Sequence, residues 1–177
     1  VIVGCAMPEG PQGLNVARIA TLLAGLPDTT PAYTLNRFCA SGLQAVANAA
    51  EMVKSGSAEL VIAAGVESMS TVPMMGFKPS VNPRVTAEDE NIAIAFGMGL
   101  TAEKVADKYN ISREDQDAFA LESHKRALKA NKEGLFADEI APITTTESVY
   151  SLETKEYSVK TNVVSQDEGP RDGSSIE

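Results

Sequence analysis

A cysteine at the start of a helix can serve as a nucleophile, and Cys39 is the residue here best placed for it. It opens the run Cys39-Ala40-Ser41-Gly42-Leu43-Gln44-Ala45-Val46-Ala47-Asn48-Ala49-Ala50, preceded by Asn36-Arg37-Phe38. In a helix's first turn, unpaired amides and the positive dipole end favour a thiolate. The same amides can hold an oxyanion beside the sulfur. Free cysteine is also used as a small apolar core residue, and the residues alone leave both uses open. Cys5 begins a Pro/Gly loop and reads as packing. The single histidine, His124, lies in Glu122-Ser123-His124-Lys125-Arg126, on the side of its helix shared by Leu121 and Leu128. Base chemistry asks more of a histidine than such a place supplies, so it reads as structural. One histidine and two cysteines build no zinc signature and no disulfide framework. The reading is therefore no metal and a reducing, cytoplasmic compartment.

Two further segments stand out. Met69, Met74, Met75 and Met98 fall in a loop-rich stretch, where methionine fills irregular gaps in a core. Arg171 closes Asp167-Glu168-Gly169-Pro170-Arg171. Its planar fork of donors suits phosphate or adenine, although a solvated loop arginine is the plainer use.

The elements that must position these residues alternate. Val1-Ile2-Val3 is strand-like, and Pro8 to Gly13 is a loop. A helix is expected over about Asn15 to Ala24, with Val16, Ile19, Leu22 and Leu23 as its apolar stripe and Gly25 and Pro27 ending it. Ala32 to Leu35 is a short strand. The Cys39 helix runs to Ser55-Gly56 with Leu43, Val46, Ala47, Ala50 and Val53 as its stripe. Its small side chains predict close burial at the centre of a layered fold. Leu60 to Ala64 reads as a buried strand. This order predicts an α/β fold with a largely parallel sheet.

The composition then shifts near Glu67, and residues 68–100 are rich in glycine, proline, asparagine and methionine. Helices are expected over Thr101–Tyr109 and Ser112 to about Lys132, the second opened by a Ser112/Asp115 capping box and striped by Ala118, Leu121 and Leu128. Glu139 to Ser165 predicts short irregular strands. The boundary near residue 68 therefore separates a layered α/β half, residues 1–68, from a loop-dominated excursion, residues 69–177. The chain opens at Val1 inside a strand-like run and ends at Ser174-Ser175-Ile176-Glu177, a capping-box spacing with no helix after it. We read it as a piece of a longer polypeptide.

With 24 acidic against 15 basic residues the net charge is −9, which repels phosphate backbones and anionic lipid. Nucleic-acid binding and membrane insertion are not expected. The apolar stretches fall far short of the ~20 residues that span a bilayer.

The run Asn36-Arg37-Phe38-Cys39-Ala40-Ser41-Gly42-Leu43-Gln44-Ala45 resembles the nucleophilic-cysteine motif of thiolases. The resemblance continues through Ala64 to Ser70, Gly97 to Glu103 and Ile111 to Asp117, and covers essentially the whole chain. It implies a layered α/β/α half with an inserted loop domain that holds coenzyme A. It also implies attack by Cys39 on a 3-ketoacyl-CoA, release of acetyl-CoA and transfer of the shortened acyl group to a second coenzyme A. Coenzyme A is then a co-substrate, with no permanently bound cofactor. Met98 matches a family position beside the acyl group, and Arg171 a position contacting the nucleotide end of coenzyme A. Gly97 stands where short-chain biosynthetic thiolases typically place histidine, which resembles the degradative enzymes of fatty-acid β-oxidation. A homodimer or homotetramer, or a place in a β-oxidation multienzyme complex, is also implied.

The family's Gly-His-Pro and Cys-x-Gly motifs, which supply a base and a second cysteine, do not occur in these residues. These 177 residues alone are therefore expected not to turn over. The alternatives are a biosynthetic acetyl-CoA C-acetyltransferase, a ketoacyl-synthase-like condensing enzyme, and a non-catalytic acyl-CoA or lipid-binding relative. Asn36-Arg37-Phe38 argues against the condensing enzyme and Cys39 against the non-catalytic protein.

Overall fold

The computed structural model describes residues 1–86 and 97–176. Two compact units divide the chain, Val1–Ala93 and Ile94–Glu177.

In the first unit, strand β1 (Ile2–Gly4) leads to helix α1 (Val16–Leu23), strand β2 (Tyr33–Leu35), helix α2 (Ser41–Lys54) and strand β3 (Ala63–Gly65). The sheet order is β2-β1-β3, with both pairings parallel and Ile2 in register with Tyr33 and Ala63. Chain direction explains the layering. The first crossover steps one way across the sheet and the second steps back past β1, so crossovers of one hand place their helices on opposite faces. Side-chain alternation agrees. Ile2 packs against Ala45 and Ala49 of α2, while Thr34, in register with Val3, accepts a hydrogen bond from the Ala17 amide of α1 at 3.1 Å. The expected α/β/α arrangement with a parallel sheet is what forms.

Helix ends follow local chemistry. The Asn15 side chain caps α1 by accepting from the Arg18 amide at 3.3 Å, and Gly25 and Gly56 follow α1 and α2 with φ of +76° and +73°. That left-handed conformation suits glycine.

The apolar stripes are where expectation and structure part. On α2 the residues against the sheet are Ser41, Ala45 and Ala49, while Leu43, Val46 and Val53 are exposed, Leu43 at 74%. On α1 the buried residues are Ala17 and Thr21, whereas Ile19, Leu22 and Leu23 are exposed. Small side chains let each helix backbone sit close to the sheet, so the bulky residues fall on the other side. The strand expected at Leu60 to Ala64 forms later, at Ala63–Gly65, because β1 offers three residues to pair; Leu60 is 85% exposed.

Beyond Glu67 the chain stays attached to this unit. Gln12 accepts from the Ser68 amide at 2.8 Å, Glu9 accepts from the Phe77 amide at 2.7 Å, and Val72 is buried.

The second unit holds α3 (Met98–Tyr109), α4 (Arg113–Lys132) and strands β4 (Ile143–Tyr150) and β5 (Tyr157–Val164). Ser112 caps α4, accepting from the Asp115 amide at 3.1 Å and donating its hydroxyl proton to the Asp115 carboxylate at 2.8 Å. Leu121, His124 and Leu128 are half-buried on one side of α4. The irregular strands expected after Glu139 are instead a regular antiparallel hairpin, paired from Ile143↔Val164 to Tyr150↔Tyr157. Its threonines and valines suit a pleated surface, and tyrosine rings 5.0 Å apart close the turn end. Of the chain's final capping-box spacing, Glu177 lies outside the described residues.

Candidate functional site

All three parallel strands finish at one edge of the sheet, with Gly4, Leu35 and Gly65 as their last residues. That carboxyl edge is where α/β sheets place ligands. The segments leaving it are Cys5-Ala6-Met7, Asn36 to Ala40, and Val66-Glu67, and hydrogen bonds join them.

Gly4 lets the start of α2 descend onto this edge. A Cβ built on Gly4 would strike the Ser41 carbonyl carbon and lie 2.6 Å from the Ser41 carbonyl oxygen and 2.7 Å from the Gly42 nitrogen. No side chain fits there.

The turn from β2 into α2 carries Cys39. Phe38 adopts φ +48°, a left-handed conformation that costs a non-glycine residue about 1–2 kcal/mol. Several bonds hold it. The Phe38 amide donates to Asn36 Oδ1 at 2.8 Å, while the Phe38 carbonyl accepts from the Ser41 hydroxyl at 2.6 Å and the Ser41 amide at 3.0 Å. Ser41 Oγ also accepts from the Arg37 amide at 2.8 Å, and Ser41 is 4% exposed. Along α2, Arg37 Nη1 donates to Gln44 Oε1 at 2.6 Å and Gln44 Nε2 to Asn48 Oδ1 at 2.7 Å.

This turn changes one sequence expectation. Cys39 does not lie in the first turn of the helix: α2 starts at Ser41, with Ala40 as its N-cap. The tight turn closed by Ser41 delays the helix. Two amides at the start of α2, those of Ala40 and Ser41, are already bonded to the carbonyls of Arg37 and Phe38. The Arg37 and Phe38 amides are taken as well, by Ser41 Oγ and Asn36 Oδ1, so of residues 37–41 the Cys39 amide is the one left to face an oxyanion beside the sulfur. Cys39 itself is exposed, whereas Cys5 is fully buried.

Behind the turn lies a polar cluster that sequence reasoning missed. Glu67 Oε2 accepts from the Ala6 amide at 2.7 Å, and Oε1 accepts from the Met7 amide at 3.2 Å, Gln12 Nε2 at 2.6 Å and the Cys5 thiol at 3.7 Å. Desolvation raises the Glu67 carboxyl, but the combined bonds from Ala6, Met7, Gln12 and Cys5 outweigh it and hold its pKa below the ordinary value. Burial, and next the Glu67 charge, push the Cys5 thiol up. Cys5 is thus kept protonated and packed, the opposite of a nucleophile's setting.

Met98 and Arg171 both lie in the second unit, in different clefts. Met98 lines an apolar cleft of about 350 Å³ with Val105, Ala106 and Ile111. Arg171 lines one of about 300 Å³ with His124, Arg113 and Asp117. Arg113 is occupied there, its Nε donating to Asp117 at 2.9 Å. Among the described residues no cluster of His, Cys, Asp and Glu could hold a metal ion.

Residues 1–177 match the family described as thiolase, N-terminal domain. The chain belongs to the thiolase family. It is 50% identical over 171 residues to a 3-ketoacyl-CoA thiolase of Bacillus subtilis, a match covering 97% of this chain and 43% of that protein. It is 49% identical over 157 residues to a β-ketoadipyl-CoA thiolase of Pseudomonas knackmussii, covering 81% of this chain and 39% of that one. Among solved structures it is similar to a Bacillus anthracis acetyl-CoA acetyltransferase, with a TM-score of 0.75 at 36% identity over 99% of this chain and 44% of that chain. This thiolase chain therefore spans about two fifths of the length of these relatives.

Proposed function

We propose that the whole protein is an acetyl-CoA C-acyltransferase that cleaves 3-ketoacyl-CoA, with Cys39 as its nucleophile. The observation that carries this reading is the exposed Cys39, held on a tight strand-to-helix turn at the carboxyl edge of a parallel sheet. The Cys39 thiolate attacks the 3-keto carbon, and the C2–C3 bond breaks. The electron pair of that bond leaves on acetyl-CoA, which takes up a proton. Coenzyme A then attacks the Cys39 thioester, gives up its thiol proton and departs as the shortened acyl-CoA, regenerating the thiolate. Acyl transfer through a sulfur ester divides one difficult step into two easier ones.

Met98 is assigned to the acyl chain and Arg171 to the nucleotide end of coenzyme A. Residues 1–68 form the nucleophile-bearing domain and 69–177 the substrate-holding one in this reading. Coenzyme A acts as co-substrate, the enzyme is a cytoplasmic homodimer or homotetramer, and the 177 residues alone do not turn over. No helix among the described residues is long and apolar enough to cross a membrane.

Gly97, exposed with nothing within 4 Å of its Cβ position, favours chains longer than acetoacetyl-CoA and a role in fatty-acid β-oxidation. The test has two parts. Intact-mass analysis of the full-length enzyme with a 3-ketoacyl-CoA should find the acyl group on Cys39 and none in Cys39→Ser. The values of kcat/KM across a chain-length series should rise beyond four carbons, because these ratios measure differential transition-state binding. A steep preference for acetoacetyl-CoA overturns the degradative assignment in favour of the biosynthetic one.

A further inference from the structure

We propose that Glu67 and Asn36 are positioning residues for the Cys39 turn, acting through the peptide that joins Ala6 to Met7. The proposal rests on the reading of Cys39 as nucleophile. The two edges of that one peptide are held from opposite sides. Its N–H, belonging to Met7, donates to Glu67 Oε1 at 3.2 Å, and its C=O, belonging to Ala6, accepts from Asn36 Nδ2 at 3.0 Å. A peptide is planar, so a group that fixes one edge fixes the other. Asn36 carries the constraint onward, because its Oδ1 accepts from the amide of Phe38, the left-handed residue directly before Cys39.

The path thus runs from the end of β3, across the segment after β1, to the segment after β2. It ties together the three chain segments that leave the sheet at the edge where Cys39 stands. Glu67 is itself fixed, by the Ala6 amide at 2.7 Å and by Gln12 at 2.6 Å, and Gln12 is anchored in turn by the Ser68 amide. Each peptide or amide in such a chain polarises the next, and an ionised acceptor at its head strengthens the whole. Neither residue reaches the sulfur, so both act by setting where the turn sits.

The experiment uses the full-length protein with Glu67→Gln, Asn36→Asp and the double variant, with Glu122→Gln on α4 as control. Glu67→Gln replaces an ionised acceptor with an amide, whose NH2 group must face a donor, either the Ala6 amide or those of Met7 and Gln12, so the cluster loses at least one bond in either orientation. Asn36→Asp keeps the acceptor for Phe38 but loses the donor to Ala6. Hydrogen exchange over residues 36–41 is read first. It should accelerate in Glu67→Gln and Asn36→Asp, with α1 unaffected, and stay unchanged in Glu122→Gln. Acyl transfer is read second, with kcat falling on the order of 10-fold to 100-fold and KM for the acyl-CoA held within about twofold. The double variant should be no worse than the weaker single variant, because both cut one path. Unchanged exchange at 36–41 in Glu67→Gln, or losses that simply add in the double variant, overturns the proposal. If wild type forms no acyl-Cys39, the thiolase reading falls by itself, and the exchange measurement still decides whether Glu67 holds the turn.

Discussion

Gly4→Ala probes the placement of the nucleophile with a single added methyl group. The new Cβ would lie 2.6 Å from the Ser41 carbonyl oxygen and 2.7 Å from the Gly42 nitrogen. Ordinary contact begins at 3.4 Å, and the Ser41 carbonyl carbon is nearer still, so the start of α2 must retreat by about 1 Å. The obstructing atoms are backbone and have no rotamer by which to escape. Overpacking of this kind costs about 1–3 kcal/mol. At a urea slope of roughly 1–3 kcal/mol per molar, the unfolding midpoint drops by about 1 M. The same displacement moves the Cys39 turn, because Ser41 closes it through Arg37 and Phe38. A shift near 1 Å at a reacting atom costs up to about 100-fold in rate. Gly42→Ala is the control, since nothing lies within 4 Å of its Cβ position, and alanine in a helix gains about 0.5–1 kcal/mol over glycine. Urea titration followed by circular dichroism gives the midpoint, and intact-mass kinetics of Cys39 acylation, scaled to the folded fraction, gives the rate. Gly4→Ala with a wild-type midpoint and rate would refute the close-approach argument, as would a Gly42→Ala variant equally impaired.

Iodoacetamide should label Cys39 well before Cys5. A buried thiol reached only through an opening of about 2.7 kcal/mol reacts on the order of 100-fold more slowly, and site-resolved mass spectrometry reads the ratio. Ser41→Ala removes a nearly buried hydroxyl that bonds both Arg37 and Phe38, so it should cost about 1–2 kcal/mol in urea titration and slow Cys39 acylation. The depressed Glu67 pKa contributes stability that is present above the ordinary carboxylate value and is lost as pH falls through the folded value. Lowering the pH from about 6 to about 3 should therefore destabilise wild type more than Glu67→Gln, by a modest amount because Glu67 is exposed; equal losses would count against the bonded carboxylate.

Local events and their order are legible along the chain. Asn15 and Ser112 cap their helices with their own side chains, and Gly25 and Gly56 follow helix ends in the conformation glycine tolerates. The alternation of apolar runs with helical periods was enough for a parallel α/β sheet, and the run around Cys39 was enough for the thiolase family. These depend on neighbours within a few residues, or on a pattern preserved along the chain. Tertiary structure alone decided which helix side is buried. Two sides of α2 carry apolar residues, and the sheet accepted Ala45 and Ala49 because only small side chains allow the approach that Gly4 opens. It also decided that Cys39 precedes its helix, because the bonds that close the turn use the Ser41 side chain and a left-handed Phe38, which periodicity does not encode. The Glu67 cluster was least legible of all. Its partners Ala6, Met7 and Gln12 stand 61, 60 and 55 residues earlier in the chain, and only the parallel pairing of β1 with β3 brings them within reach of one carboxylate.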